Sequence, residues 1–183
     1  MRRPRRLPDY LQRGLKLVFV GINPGLMSAT AGHYYANPRN PFWRLLHEGR
    51  LTPVRLSPQE DDRILEFGYG LTDIVKRPSR GVGELVPREF REGKKVLKEK
   101  LLRIRPLIVC FNSKSAFVGF FGRDAFRAFG RQRVRIEQAR VYVLPSTSPA
   151  NAGVPLAVKR RYFLGLKRWL DELMGHEPGS DNF

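Results

Sequence analysis

Three short segments carry residues whose types and spacing suit chemistry. The first is GINPGLMSATAGHYY at 21–35. Gly21 and Gly25 let the backbone turn sharply and approach a ligand. Pro24 stiffens the loop and removes a donor. The Asn23 amide donates and accepts at once, so it can hold a water or the polar edge of a planar base. Tyr34 and Tyr35 can stack on such a ring. The same residues also make an ordinary tight turn, with Asn23 bonded to its own backbone and the tyrosines closing the core. The second segment is GLTDIVKRP at 70–78. There Asp73 is a carboxylate in an apolar stretch. It suits a general base, a stabiliser of a cationic sugar, or a turn residue bonded to backbone. The third is LPSTSPANAG at 144–153. Its hydroxyls at Ser146, Thr147 and Ser148 can meet phosphate oxygens. Pro149, Ala150 and Asn151 form a stiff tip that could enter a duplex as a wedge. Helix-capping residues would look the same.

These loops need elements to hold them. KLVFVG at 16–21 and LIVCF at 107–111 are short apolar runs of the buried-strand kind. VRI at 134–136 and VYVL at 141–144 read as further strands, paired through a turn near Gln138. Asn40 and Pro41 form a helix start before FWRLLHEG. Residues 58–67 and 113–121 read as helices. So does 87 to about 104, with Phe90, Leu97, Leu101 and Ile104 on one face. A closing helix over 155–173 is marked by Phe163, Leu166, Leu170 and Leu173. Strands alternating with helices predict a three-layer α/β/α domain with a mainly parallel central sheet. In such sheets ligands bind beyond the carboxyl ends of the strands. The segments at 21–35 and 144–153 fall at such ends.

Composition bounds the partners. The chain has 183 residues and a formal net charge of +17, with 42% hydrophobic residues. That is one core-forming domain with a polyanion as the expected partner. Six arginines lie in 123–140 against Asp124 and Glu137. No apolar run reaches the ~18–20 residues of a membrane span. Basic residues at the start are not followed by a secretory apolar core. One cysteine, Cys110, excludes an intramolecular disulfide and a four-cysteine cluster, and three histidines leave little for a metal site. No metal and no cofactor are expected, and a cytoplasmic monomer is. Residues 1–13 read as a mobile basic arm, 14–175 as the domain and 176–183 as a disordered tail.

Taken together, GINPG, then GHYYANPRNPFW at 32–43, then GLTDIVKR, then the Pro-Ser loop before a final helix resemble a known family. It is that of the mismatch-specific uracil/thymine-DNA glycosylases, family 2 of the uracil-DNA glycosylase superfamily. The resemblance runs from about residue 15 to 173. It implies that fold and an enzyme that flips a base from DNA and hydrolyses its N-glycosidic bond. It places water positioning on Asn23, contact with the base edge on the Ile22 backbone beside Gly25, and stacking on Tyr35. Some relatives carry Lys or Asn where Asp73 stands, so a catalytic Asp73 is a departure to test. Thymine-active relatives tend to carry Ala where Ser28 stands, which favours uracil. Relatives place Leu or Arg where Ala150 stands. A methyl group fills the vacated gap poorly, so the expected substrates are double-stranded DNA with G·U mispairs, and single strands. Ethenocytosine, hypoxanthine or thymine as the base, or a non-catalytic nucleic-acid-binding module, are the alternatives.

Overall fold

The computed structural model describes residues 4–175. Among them, strands β1 (Leu17–Gly21), β2 (Tyr69–Asp73), β3 (Ile108–Phe111), β4 (Gly130–Ile136) and β5 (Ala139–Val143) form one sheet in the order β2-β1-β3-β5-β4. β2, β1, β3 and β5 run parallel, and only the edge strand β4 is antiparallel to its neighbour β5. This is the expected α/β architecture with a mainly parallel sheet.

Strand alternation builds the layers. Leu17 and Phe19 face one core with Ile108, Cys110 and Tyr142, whereas Val18 and Val20 face a second with Val109, Phe111 and Val141. Helices α2 (Phe42–Glu48) and α5 (Leu156–Gly175) cover the first face through Phe42, Leu45, Phe163 and Leu166. Helices α3 (Pro87–Ile104) and α4 (Lys114–Phe121) cover the second through Leu97, Leu101, Ala116 and Phe117. Burial of a side chain such as Phe19, with no exposed surface, contributes about 2–3 kcal/mol. The four parallel strands therefore end together, and the segments that follow them converge at one rim.

Four local features differ from the sequence expectation. The 21–35 segment contains a short helix, α1 (Leu26–Ala31). Residues 69–73 are a strand, not a turn. Gly70 makes this possible, because a Cβ there would meet the Tyr10 carbonyl oxygen at 2.6 Å. The 58–67 helix is a 3-10 helix broken at Glu60, where φ is −108°. Lastly, residues 7–11 are no arm. Leu7 is buried, and Tyr10 exchanges two backbone hydrogen bonds with Leu71, each 3.0 Å long. An apolar residue and a free strand edge together outweigh the basic composition that suggested mobility. Residues 1–3 and the expected tail at 176–183 lie outside the described residues.

Candidate active site

The rim is assembled from the carboxyl ends of β1, β2, β3 and β5. Parallel pairing sets Gly21 opposite Asp73. The backbone continues that pairing past the strands, with Ile74 N donating to Gly21 O (3.0 Å) and Val75 N to Ile22 O (2.8 Å). Gly21 is required by close approach. A Cβ there would lie 2.3 Å from Asp73 Oδ1. Its absence lets the carboxylate lie against the end of β1.

Asp73 is 6% exposed, and its Oδ2 has no hydrogen-bond partner among the described residues. Burial pushes its pKa up to about 7, against the opposing pull of the Lys76 ammonium, while the Asp9 charge adds to the rise. A carboxylate poised near neutrality can take a proton at working pH. The Lys76 ammonium is itself held at 2.5 Å from Asp9 Oδ1 and donates to the Tyr34 hydroxyl at 3.2 Å.

Asn23 is half-buried and fixed by its nitrogen. Nδ2 donates to Arg77 O (2.9 Å), Ser79 Oγ (2.8 Å) and Pro24 O (3.3 Å). Two of those acceptors are carbonyls, so the amide cannot be flipped. Its Oδ1 receives no donor among the described residues. That oxygen can accept a hydrogen from water, though it is too weak a base to take the proton. Gly25 is exposed, has an ordinary φ of −68°, and would hold a Cβ in open space. It therefore offers a bare backbone and is not needed for a tight turn.

The GHYY segment splits its two tyrosines. Tyr34 is 2% exposed and belongs to the core, so it cannot stack on a ligand. Tyr35 is half-buried with φ of 54°, a left-handed conformation that costs a bulky residue about 1–3 kcal/mol. Its ring stacks on Phe42 with centroids 3.8 Å apart. The strain is held from both sides. Asp61, buried, accepts from Tyr34 N (2.7 Å) and the Tyr10 hydroxyl (2.9 Å), with His33 Nδ1 at 3.1 Å. Ser28 Oγ accepts from Ala36 N at 3.1 Å. Ser28 thus pins the chain just after Tyr35. Desolvation, with the nearby Asp73 charge, keeps the Tyr35 hydroxyl protonated well above its ordinary pKa.

In the third loop, Thr147 is buried and accepts from Asn112 Nδ2 at 3.0 Å. It anchors the loop to the end of β3 and is out of reach of a DNA backbone. Ser146 Oγ accepts from Ser148 N (3.1 Å), and Ser148 Oγ from Ala150 N (3.3 Å). Their hydroxyl hydrogens remain available to phosphate. The tip Pro149–Asn151 is a single 3-10 turn with Ala150 exposed. Asn151 Nδ2 closes it on Ser146 O, and the buried Lys159 ammonium on Asn151 O.

The sequence alone assigns no role to Asn112, Asp61 or Lys76. Asn112 had a signal, since it follows LIVCF and so stands at a strand end. Its Oδ1 is buried without a partner among the described residues, like Asp73 Oδ2. Asp61 and Lys76 act through partners distant in sequence and had none.

The site therefore holds an amide fixed by its nitrogen, a buried carboxylate near neutrality and a strained aromatic ring at the mouth of a parallel sheet. Comparison with known proteins agrees in class. The sequence profile of the Uracil DNA glycosylase superfamily matches residues 8–167, and the chain belongs to that superfamily. Membership defines a glycosylase, a hydrolase of the base–sugar bond in DNA. The fold is also similar to a solution NMR structure from Methanosarcina acetivorans, described as that of a candidate uracil DNA glycosylase. That match has a TM-score of 0.64 at 23% identity, over 92% of this chain and 98% of the other.

Proposed function

We propose that the protein is a monofunctional, mismatch-specific uracil-DNA glycosylase, acting on uracil in G·U mispairs and in single strands. The observation that carries this reading is Asp73, a buried carboxylate with one unpartnered oxygen, packed against Gly21 two residues before the fixed amide of Asn23. The flipped uracil stacks on Tyr35 and meets the backbone at Ile22 and Gly25. Asn23 Oδ1 accepts a hydrogen from the attacking water and turns its lone pair toward C1′. The water oxygen forms the new bond to C1′ as the C1′–N1 bond breaks. The electron pair leaves on the base, and the water's proton passes to the Asp73 carboxylate. While C1′ is cationic, the same carboxylate stabilises it. Ser28 stands where a smaller residue would admit a 5-methyl group, which supports uracil over thymine.

The preference for mispairs rests on Ala150. An exposed methyl at the loop tip replaces little of the lost stacking, so extrusion is easiest where pairing is already weak. The test is single-turnover cleavage of uracil in G·U, in U·A and in single-stranded oligonucleotides, read by alkali scission. Release from G·U and single strands ahead of U·A is expected, with about 10²-fold loss in Asn23→Ala. No release from any of the three substrates would refute the function. Equal rates on U·A and G·U would remove the mismatch preference.

A further inference from the structure

Beside the site lies a second concavity of about 640 Å³, lined in part by Tyr35, Asn37, Arg39, Asn40, Trp43 and Arg55. Asn23, Asp73 and Asn112 do not line it, so it extends away from them and adjoins the candidate active site only through Tyr35. Its lining holds three arginines and no carboxylate. Arg44 is paired with Glu48 at 2.6 Å. The exposed side chains of Arg39 and Arg55 have no ion-pair or hydrogen-bond partner among the described residues. The cleft beside α3, about 430 Å³, is different, because Glu89 and Glu92 line it together with Lys76 and Lys100, and both lysines are paired with Asp9.

The asparagines sharpen the preference. Asn37 Oδ1 accepts from Arg39 N at 3.0 Å, and Asn40 Oδ1 from Phe42 N at 3.0 Å. Each oxygen is thus engaged with local backbone, and both amide nitrogens have no acceptor among the described residues. The Ser57 hydroxyl is engaged with Glu60 at 2.9 Å. The uncommitted side-chain groups of Asn37, Asn40, Arg39 and Arg55 are therefore all donors. Tyr35, Trp43 and Leu156 supply apolar wall for a sugar or base, and the volume is within the range of ligand pockets. The wall also locates the cleft. Tyr35 is shared with the candidate active site, and Leu156 opens α5 directly after the Pro-Ser loop.

We propose that this cleft binds a phosphodiester, with its nucleotide, of the DNA strand that carries the extruded base. This rests on the glycosylase reading for its substrate, and it adds a subsite that fixes the strand's register. Bidentate guanidinium–phosphate pairs at Arg39 and Arg55 provide the grip.

The experiment is a coupling measurement. Uracil-containing duplexes each carry one neutral methylphosphonate in place of a phosphate, stepped along both strands around the uracil. Half-saturating enzyme concentration and maximal rate are read in single turnover for the wild type and Arg39→Gln/Arg55→Gln. Both substitutions are at exposed side chains, and the melting temperature checks folding. At one or two positions on the uracil strand, the neutral linkage is expected to weaken wild-type binding about ten-fold. At those positions the double variant should show no further loss. Its maximal rate should hold, and the log–log salt slope of its binding should fall by about 1 per phosphate released.

Equal sensitivity of both proteins at every position would overturn the subsite. So would coupling confined to the opposite strand, or competition by free mononucleotide with no effect of the neutral linkages. If the wild type releases no uracil, the glycosylase reading fails on that result alone. The same duplexes with a tetrahydrofuran abasic analogue then still test the cleft by binding.

Discussion

Replacing Asp73 with Asn separates what the carboxylate does for chemistry from what it does to stability. The group is 6% exposed, and burial raises its pKa from 3.8 to about 7. An acid whose folded pKa is raised imposes no penalty below its unfolded value. The penalty grows as pH climbs from about 4 to 7 and is constant above that. A shift of about 3 units corresponds to roughly 4 kcal/mol, at 1.36 kcal/mol per unit. Asp73→Asn carries no charge and escapes this penalty. It should unfold like the wild type near pH 4. At pH 8 it should be more stable by an amount on the order of 4 kcal/mol, about 10 °C in melting temperature for a domain of this size. Activity should move the opposite way. The wild-type single-turnover rate should rise through pH 7 as the carboxylate ionises. The variant should be slower by about 10²–10⁴ and lack that limb. Thermal melts at several pH values and a rate–pH profile on a G·U duplex measure both. A stability difference that is the same at pH 4 and pH 8 would refute the buried-charge argument. A variant rate that still rises through pH 7 would refute the role as base.

Two further substitutions probe the same rim. Gly21→Ala puts a methyl 2.3 Å from Asp73 Oδ1, so the carboxylate must swing away. Cleavage should fall at least ten-fold for about 1–3 kcal/mol of stability, whereas Gly25→Ala, with open space at its Cβ, should melt unchanged. Ala150→Leu enlarges the exposed tip and should raise cleavage of U·A several-fold more than that of single strands. An equal gain on both substrates would disconnect the tip from duplex opening.

Much of the fold was legible in the chain. Apolar runs ending in Gly or Asn mark β1 and β3, and 3.6-residue periodicity marks α3 and α5. Both signals arise from local geometry, since a buried strand or a helix face needs apolar residues at fixed intervals. The chemical identities of Asn23, Asp73 and Tyr35 were equally visible, because an amide, a carboxylate and a ring are side-chain properties. Their circumstances were not. β2 is five residues long with a glycine inside it, so its strand character depends on Tyr10 and on β1, both distant in sequence. The N-terminal segment looked mobile because charge dominates its composition, yet Leu7 and Tyr10 decide its placement.

By itself the sequence determined the layers, a charge of +17 that favours polyanions, and the chemical identity of the candidate groups. Only tertiary structure decided the surroundings of each. Asp73 gains a pKa near 7 from burial beside a residue with no side chain. Asn23 is oriented by the Arg77 carbonyl and the Ser79 hydroxyl, each more than 50 residues away in sequence. Tyr34 is taken into the core while Tyr35 is held strained at the rim. Solvation and hydrogen-bond direction belong to the space around a group, and here that space is built by chain segments far apart in sequence.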